Sequence, residues 1–295
     1  MKILVTGSKG QLGWELIRKS SDFDFEILGT DRFQLDITRQ NQIESFFTQF
    51  QPDLVINAAA YTNVDAAESD PKTAFAVNKT GPSNLAKVCE KYAVPLIHVS
   101  TDYVFDGQKG SPYLETDPVS PLGVYGKSKE EGENEIRLHI KAHVIIRTAW
   151  LYGAYGHNFV KTMLRLGREK NGIIVVDDQY GSPTSASDLA EAVLTISKQI
   201  QDGLDVKWGT YHYCGKGITT WHGFAEKIFE TAKKYGPLKI TNIKPVTTTE
   251  YPTQTKRPEF SALDCTLIEK NFSINPKPWE DSLKVVIDRV LGNTD

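Results

Sequence analysis

Tyr125 and Lys129 stand four residues apart, the spacing that puts two side chains on one face of a helix and lets them serve one small volume. A phenol becomes a useful proton donor to a forming alkoxide when its pKa falls from ~10 toward neutrality, and a nearby ammonium lowers an acid by ~1–3 units. Lys129 would supply that ammonium, so the pair reads as acid and partner in carbonyl reduction. Thr101, in the run Ser100-Thr101, offers a hydroxyl to the same oxygen and would hold a carbonyl in line with a hydride donor. A YxxxK pair alone is common on helix surfaces. Its meaning depends on a hydride source nearby.

Gly7-Ser8-Lys9-Gly10-Gln11-Leu12-Gly13 supplies the place for one. It follows a first β-branched run and opens an amphipathic stretch, so a pyrophosphate would sit on exposed N–H groups at the positive end of a helix. The spacing is GxxGxxG, a variant of the dinucleotide fingerprint. Asp31 follows the second β-rich run about 20 residues on, where an acid accepts hydrogen bonds from the adenosine ribose. Arg32 beside it can face a 2′-phosphate or stack on adenine, which leaves both NADH and NADPH open. Asp36-Ile37 can flank adenine, or Asp36 can cap a helix. Ala58-Ala59-Ala60 carries only small side chains, as the close approach of a cofactor requires and as tight helix-on-sheet packing also requires.

The elements that would position these residues alternate in the βαβ manner. Strands are expected at Lys2–Thr6, Phe25–Thr30, Leu54–Asn57, Leu96–Ser100 and Val144–Thr148. Helices are expected from Gln11, from Gln40, over Pro71–Tyr92 with Ser69 or Asp70 as cap, and from Tyr125 to about His139. The fold class is α/β, a doubly wound parallel (Rossmann) sheet, with residues 1–150 forming a dinucleotide-binding domain. Beyond Trp150 the pattern weakens. Strands at Ile173–Val176 and Gly209–Tyr213 and helices at Ser187–Lys198 and Trp221–Lys234 suggest a smaller α/β substrate-binding domain over 151–295, with Gly209–Tyr213 able to return to the main sheet.

Composition agrees with this and narrows the alternatives. The 295 residues suit about two domains, and 40% hydrophobic residues with 22 glycines give an ordinary globular balance. A net charge of -3 without a basic stripe argues against nucleic acid as partner. Apolar runs fall far short of the ~20 residues a bilayer demands, and the first apolar segment begins directly after Met1-Lys2, so neither a membrane span nor a signal peptide is expected. Cys89, Cys214 and Cys265 are odd in number and outside any CxxC pair. That argues against a disulfide framework and for a reducing cytoplasm.

With GxxGxxG, a strand-end Ser/Thr and YxxxK in register, the chain resembles the extended short-chain dehydrogenase/reductases. Within them it is most similar to the dTDP-4-dehydrorhamnose reductases, and the resemblance spans almost the whole chain. It rests on Gly10-Gln11-Leu12-Gly13-Trp14-Glu15-Leu16, on Asn57 to Asp65, on Ser100-Thr-Asp-Tyr-Val-Phe105 and on Tyr125-Gly-Lys-Ser-Lys129. Arg147-Thr-Ala-Trp150, Asp178 to Thr184, and Tyr251-Pro-Thr with Arg257-Pro258 complete it. The resemblance implies reduction of a 4-keto sugar nucleotide to dTDP-L-rhamnose, with Tyr125 as proton donor, Lys129 as its partner and Thr101 tuning the transfer. It implies cofactor contacts at Gly10, Gln11, Leu12, Asp31, Asp36, Ile37, Ala60, Tyr61 and Thr62, and sugar contacts at Thr101, Asp102 and Trp150.

The related epimerases and dehydratases share the cofactor site, but the dehydratases place an acidic pair after the strand-end threonine, whereas here Asp102 is followed by Tyr103. A non-catalytic dinucleotide-binding subunit is a further alternative, against which Tyr125 and Lys129 count. Some relatives hold magnesium between glutamates at a dimer interface. The C-terminal helix offers only Glu280, Asp281 and Asp288, which read as a solvated face, and the six histidines lack ligand spacing, so no metal is assigned. A monomer or a homodimer is expected. Trp150 would wall the sugar or the nicotinamide, Trp221 and Tyr251 would pack a domain junction, and Arg257 would either meet a diphosphate or anchor a loop.

Overall fold

A computed structural model describes residues 1–292; the end of the expected second unit, 293–295, lies outside them. Five strands, β1 (Lys2–Thr6), β2 (Glu26–Thr30), β3 (Leu54–Asn57), β4 (Leu96–Thr101) and β5 (His143–Thr148), form a sheet with Gly209–His212. The order across it is β2-β1-β3-β4-β5 and then Gly209–His212, and every pairing is parallel. β3 and β5 are buried at every residue, as expected for strands covered on both faces.

Two layers of helices do the covering. On one face, Leu12 and Leu16 of α1 (Gln11–Lys19), with Leu189 and Val193 of the helix Ala186–Gln201, pack over Ile3, Val5 and Ile56. On the other, α2 (Gln40–Phe50) contributes Ile43 and Phe47 over Leu4, Val55 and Ile145. A separate core joins the helices Phe159–Glu169, Trp221–Ala232 and Trp279–Leu291 through Val160, Phe224 and Leu283. A parallel strand pair, Gly172–Val176 with Asn242–Val246, flanks this core.

Differences from the sequence reading have local causes. The helix expected over 71–92 is broken into α4 (Pro71–Phe75) and α5 (Gly81–Lys91) by a wide i→i+5 turn over Ala76–Thr80, the kind of bulge that gathers at functional sites. Before it comes a six-residue helix, α3 (Val64–Ser69), capped by Asn63 and too short to show a period. The helix Phe159–Glu169 has no counterpart among the expected elements. It is capped by Asn158, and Gly167 near its end, where Phe229 crowds in, weakens the helical signal. The helix α6 (Val124–His139) runs as expected, and Asp70, not Ser69, caps Pro71–Phe75.

Chain order reverses between β1 and β3. That switch point, at the carboxyl ends of the strands, is where open α/β sheets bind ligands. The Gly7 turn, Ala58–Thr62 and Thr101 all emerge there.

Candidate active site

At the switch point the backbone itself builds the cradle. Gly7 has φ +73°, and a side chain there would stand 2.6–2.7 Å from the backbone of Ala58 and Ala59, so only glycine lets the two strand ends meet. Gly10 closes the turn by donating to the Gly7 carbonyl at 2.9 Å and begins α1 with no side-chain cap. The first-turn N–H groups of Gln11, Leu12 and Gly13 therefore lie at a helix end built for an anion. The Leu12 side chain turns inward to the core, so only its backbone can serve that anion. Gln11 also accepts a hydrogen bond from Asn158 at 2.9 Å, tying the cradle to the second half of the chain.

The adenosine-side candidates are laid out beside this cradle. Asp31 pairs with Lys9 and accepts from the N–H groups of Phe33 at 2.9 Å and Gln34 at 3.1 Å; Lys9 first, then the loop amides, hold its carboxyl below the ordinary value. Arg32 is exposed, its guanidinium 4.8 Å above the Phe33 ring. Asp36 accepts from the N–H and hydroxyl of Thr38 at 3.0 and 2.7 Å, so it closes a turn, and Arg39 stands at the helix cap. Ile37 is buried in the core, with its carbonyl held by Asn84 at 3.1 Å. Ala58, Ala60 and Tyr61 are half-buried and Thr62 is exposed.

The catalytic candidates meet at the end of β4. α6 is seated by Glu68 of α3, which accepts from the Val124 N–H at 2.8 Å, and Thr101 lies beside the Tyr125 phenol. Thr101 also donates to Asp102 at 3.0 Å. Burial pushes the Asp102 carboxyl up to about 6, against the neighbouring hydroxyls of Ser261 and Thr101. Tyr103 stands edge-on to Tyr125, ring centres 5.5 Å apart. Lys129 is fully buried; its terminal nitrogen donates to the Val99 carbonyl at 2.6 Å and lies 3.2 Å from His98 Nε2. Burial brings it down to about 8, against the pull of Glu133.

One expectation changes here. The phenol of Tyr125 is not drawn toward neutrality: burial raises it, and Thr101 supplies the opposing pull. The reason is geometric, since Lys129 reaches toward β4 instead of the phenol.

Trp150 emerges from β5 at φ +47°, an uncommon backbone for a bulky residue. It lies face to face with Trp221 at 3.6 Å and 6°, with Gly181 pressed against the indole. Trp150 is therefore fixed at the sheet edge by Trp221.

Two further polar residues organise the site, Asn78, which sequence reasoning passed over, and Arg257, whose role it left open between a diphosphate and a loop. Asn78, in the wide turn, accepts from the Tyr61 N–H at 2.8 Å and donates to the Tyr61 carbonyl and the Ser128 hydroxyl at 3.0 Å each, binding the 58–62 segment to α6. Arg257 pairs with Asp65 at 3.1 Å and lies against Tyr103. It also lines a cavity of about 310 Å³ with Lys256, Gln108 and Glu259. An asparagine inside a helical pattern and an arginine 192 positions from its partner carry no local signal. Among the described residues no three His, Cys, Asp or Glu side chains gather as a metal would need, and no helix is long and apolar enough to cross a membrane.

Known proteins resemble the chain over almost its whole length. Residues 1–291 match the family described as RmlD substrate binding domain. The dTDP-4-dehydrorhamnose reductase of Aggregatibacter actinomycetemcomitans is 43% identical over 285 residues, 96% of this chain and 97% of that protein. A crystal structure of such a reductase from Clostridium acetobutylicum superposes with a TM-score of 0.91 at 41% identity, covering 98% of this chain and 99% of that one. One from Bacillus anthracis, in complex with NADP, gives 0.89 at 36% identity, covering 97% and 98%. The chain thus belongs to the dTDP-4-dehydrorhamnose reductase family.

Proposed function

We propose that the chain reduces the 4-keto group of dTDP-4-dehydro-L-rhamnose to give dTDP-L-rhamnose. The observation that carries the reading is Thr101 beside the Tyr125 phenol at the end of β4, in the crevice outside the carboxyl edge of the sheet where the uncapped α1 N-terminus also begins. NADPH or NADH fits that crevice: the glycine turn admits a pyrophosphate, and Asp31 and Arg32 stand where the adenosine ribose would end. When bound, the nicotinamide supplies hydride to the sugar carbonyl.

The chain's own groups do the rest. Tyr125, held protonated by burial, is in the state a proton donor requires, and its proton passes to the alkoxide oxygen at C4. With substrate bound, the Thr101 hydroxyl turns its single proton from Asp102 to the same oxygen. Trp150, stacked on Trp221, walls the sugar ring. Lys256 and Arg257 take the diphosphate side, the arginine anchoring its loop on Asp65 as well. Residues 1–150 then mainly hold the cofactor and 151–295 mainly the sugar nucleotide. Every one of these groups comes from one chain, so a monomer or a homodimer would serve. Three free thiols suit a reducing cytoplasm.

Two variants test the roles. Tyr125→Phe keeps the ring and removes the proton, and should lower kcat by roughly 10²–10⁴ with cofactor Kd unchanged. Lys129→Met should weaken cofactor binding as well as turnover. Near wild-type kcat for Tyr125→Phe at saturating substrate would end this reading.

A further inference from the structure

Beneath the catalytic edge runs a buried chain of hydrogen bonds whose donors and acceptors can be assigned one by one. The Asn57 side-chain oxygen accepts from the Thr6 hydroxyl at 2.7 Å and the Ala59 N–H at 3.1 Å. A backbone N–H can only donate, so this end of the amide is the oxygen. The other end, Nδ2, must therefore donate to His98 Nδ1, 2.9 Å away. A neutral imidazole has one N–H and one lone pair. With Nδ1 accepting, the proton sits on Nε2, which faces the Lys129 nitrogen at 3.2 Å.

That contact has a consequence for the lysine. An Nε2–H aimed at an ammonium sets donor against donor, whereas a neutral amine has a lone pair to receive it. We propose that His98, locked in its Nε2–H form by Asn57, is a positioning residue that decides whether Lys129 carries its proton. It hydrogen-bonds the neutral amine, and the ammonium forms only when the nitrogen turns away from Nε2 toward acceptors such as ribose hydroxyls.

The surroundings support this division of labour. His98 and Asn57 are wholly buried, and burial, then Lys129, then His143 on β5 keep the imidazole well below its usual pKa, so an imidazolium does not compete. The carboxylate facing Lys129, Glu133 on the same helix, is committed to Arg147 at 2.7 and 3.0 Å and to Arg137 at 3.1 Å. Lys79, on the neighbouring wide turn, is paired outward with Glu131. Burial lowers Lys129 into the range where such a switch operates. The step at the sugar rests on the reductase reading; the tautomer does not.

Nitrogen NMR of histidine-labelled protein without cofactor, combined with a titration of the Lys129 side chain, tests the proposal. The expected result is a neutral His98 with Nε2 protonated at pH 7 and a lysine titrating below the free value. Asn57→Asp would accept a proton from Nδ1 and leave the Nε2 lone pair to the ammonium, so it should switch the tautomer and raise the lysine titration by at least about one unit, ~10-fold in its acid constant. His98→Gln can turn its oxygen to the ammonium and should move it the same way. An Nδ1–H tautomer or an imidazolium in the unaltered protein overturns the proposal, and so does a lysine titration unmoved in whichever of the two variants folds. If the lysine moves as expected but no variant, nor the unaltered chain, turns over the keto sugar, the reductase reading fails while the assignment of His98 stands. If turnover is present, the alkaline limb of kcat/KM should rise with the lysine.

Discussion

Gly132 has almost no room for a side chain. A methyl group built there lies 2.0 Å from the Asn78 carbonyl oxygen, 3.2 Å from its carbon and 3.4 Å from Pro82, where ordinary contacts between carbon atoms need ~3.5–4.0 Å. Gly132→Ala must therefore push α6 and the wide turn apart by more than ~1 Å at that point. Overpacking of this kind costs ~1–3 kcal/mol, and the better helix propensity of alanine returns ~1 kcal/mol. A net loss of up to ~2 kcal/mol should lower Tm by up to ~8 °C, at the 2–4 °C per kcal/mol found for larger domains. Tyr125 and Lys129 ride on the same helix, and a misplacement of ~1 Å costs about 10² in rate. Thermal unfolding and steady-state reduction of the keto sugar, measured on one preparation, should thus show a modest fall in Tm beside a large fall in kcat. A variant with unchanged Tm and unchanged kcat would refute the reasoning, because the Asn78 turn would have absorbed the methyl without moving α6.

Asp102 gives a pH-dependent expectation. Burial pushes its folded pKa up to about 6, above the ordinary carboxylate value of 3.8, so the folded chain binds this proton more tightly than the unfolded one. Its stabilising contribution is complete below pH ~4 and is lost as pH rises through about 6, leaving a cost of ~3 kcal/mol near neutrality at ~1.4 kcal/mol per unit. Asp102→Asn, which still accepts from Thr101, should resist denaturant better at pH 7.5 and lose that advantage at pH 4; equal effects at both would contradict the burial argument. Arg32→Ala should raise the Kd of NADPH more than that of NADH, since only NADPH carries a phosphate for the guanidinium to meet, and equal changes in the two constants would leave Arg32 no part in cofactor choice.

The parallel sheet was legible because its strands are buried on both faces and read as short β-branched runs, as Leu54–Asn57 does. The glycine turn was legible because close backbone approach leaves no substitute at Gly7. Tyr125 and Lys129 were legible as a pair, but not the direction Lys129 takes: its partners, Val99 and His98, lie about 30 positions back on a strand, and periodicity carries no information about them. Asp36 and Ile37 show the same limit. Asp36 closes a turn on Thr38 and Ile37 faces the core, and neither arrangement shows in the local pattern. Asn57, Asn78 and Arg257 act through contacts 17 to 192 residues distant, and only the folded chain reveals them.

The account turns on a single reaction. Purified protein mixed with dTDP-4-dehydro-L-rhamnose and NADPH or NADH should oxidise the reduced nicotinamide in stoichiometric amount, followed by its absorbance, and dTDP-L-rhamnose should be recovered as the product. No oxidation above that of cofactor alone, or turnover only with a different 4-keto sugar nucleotide, would contradict it.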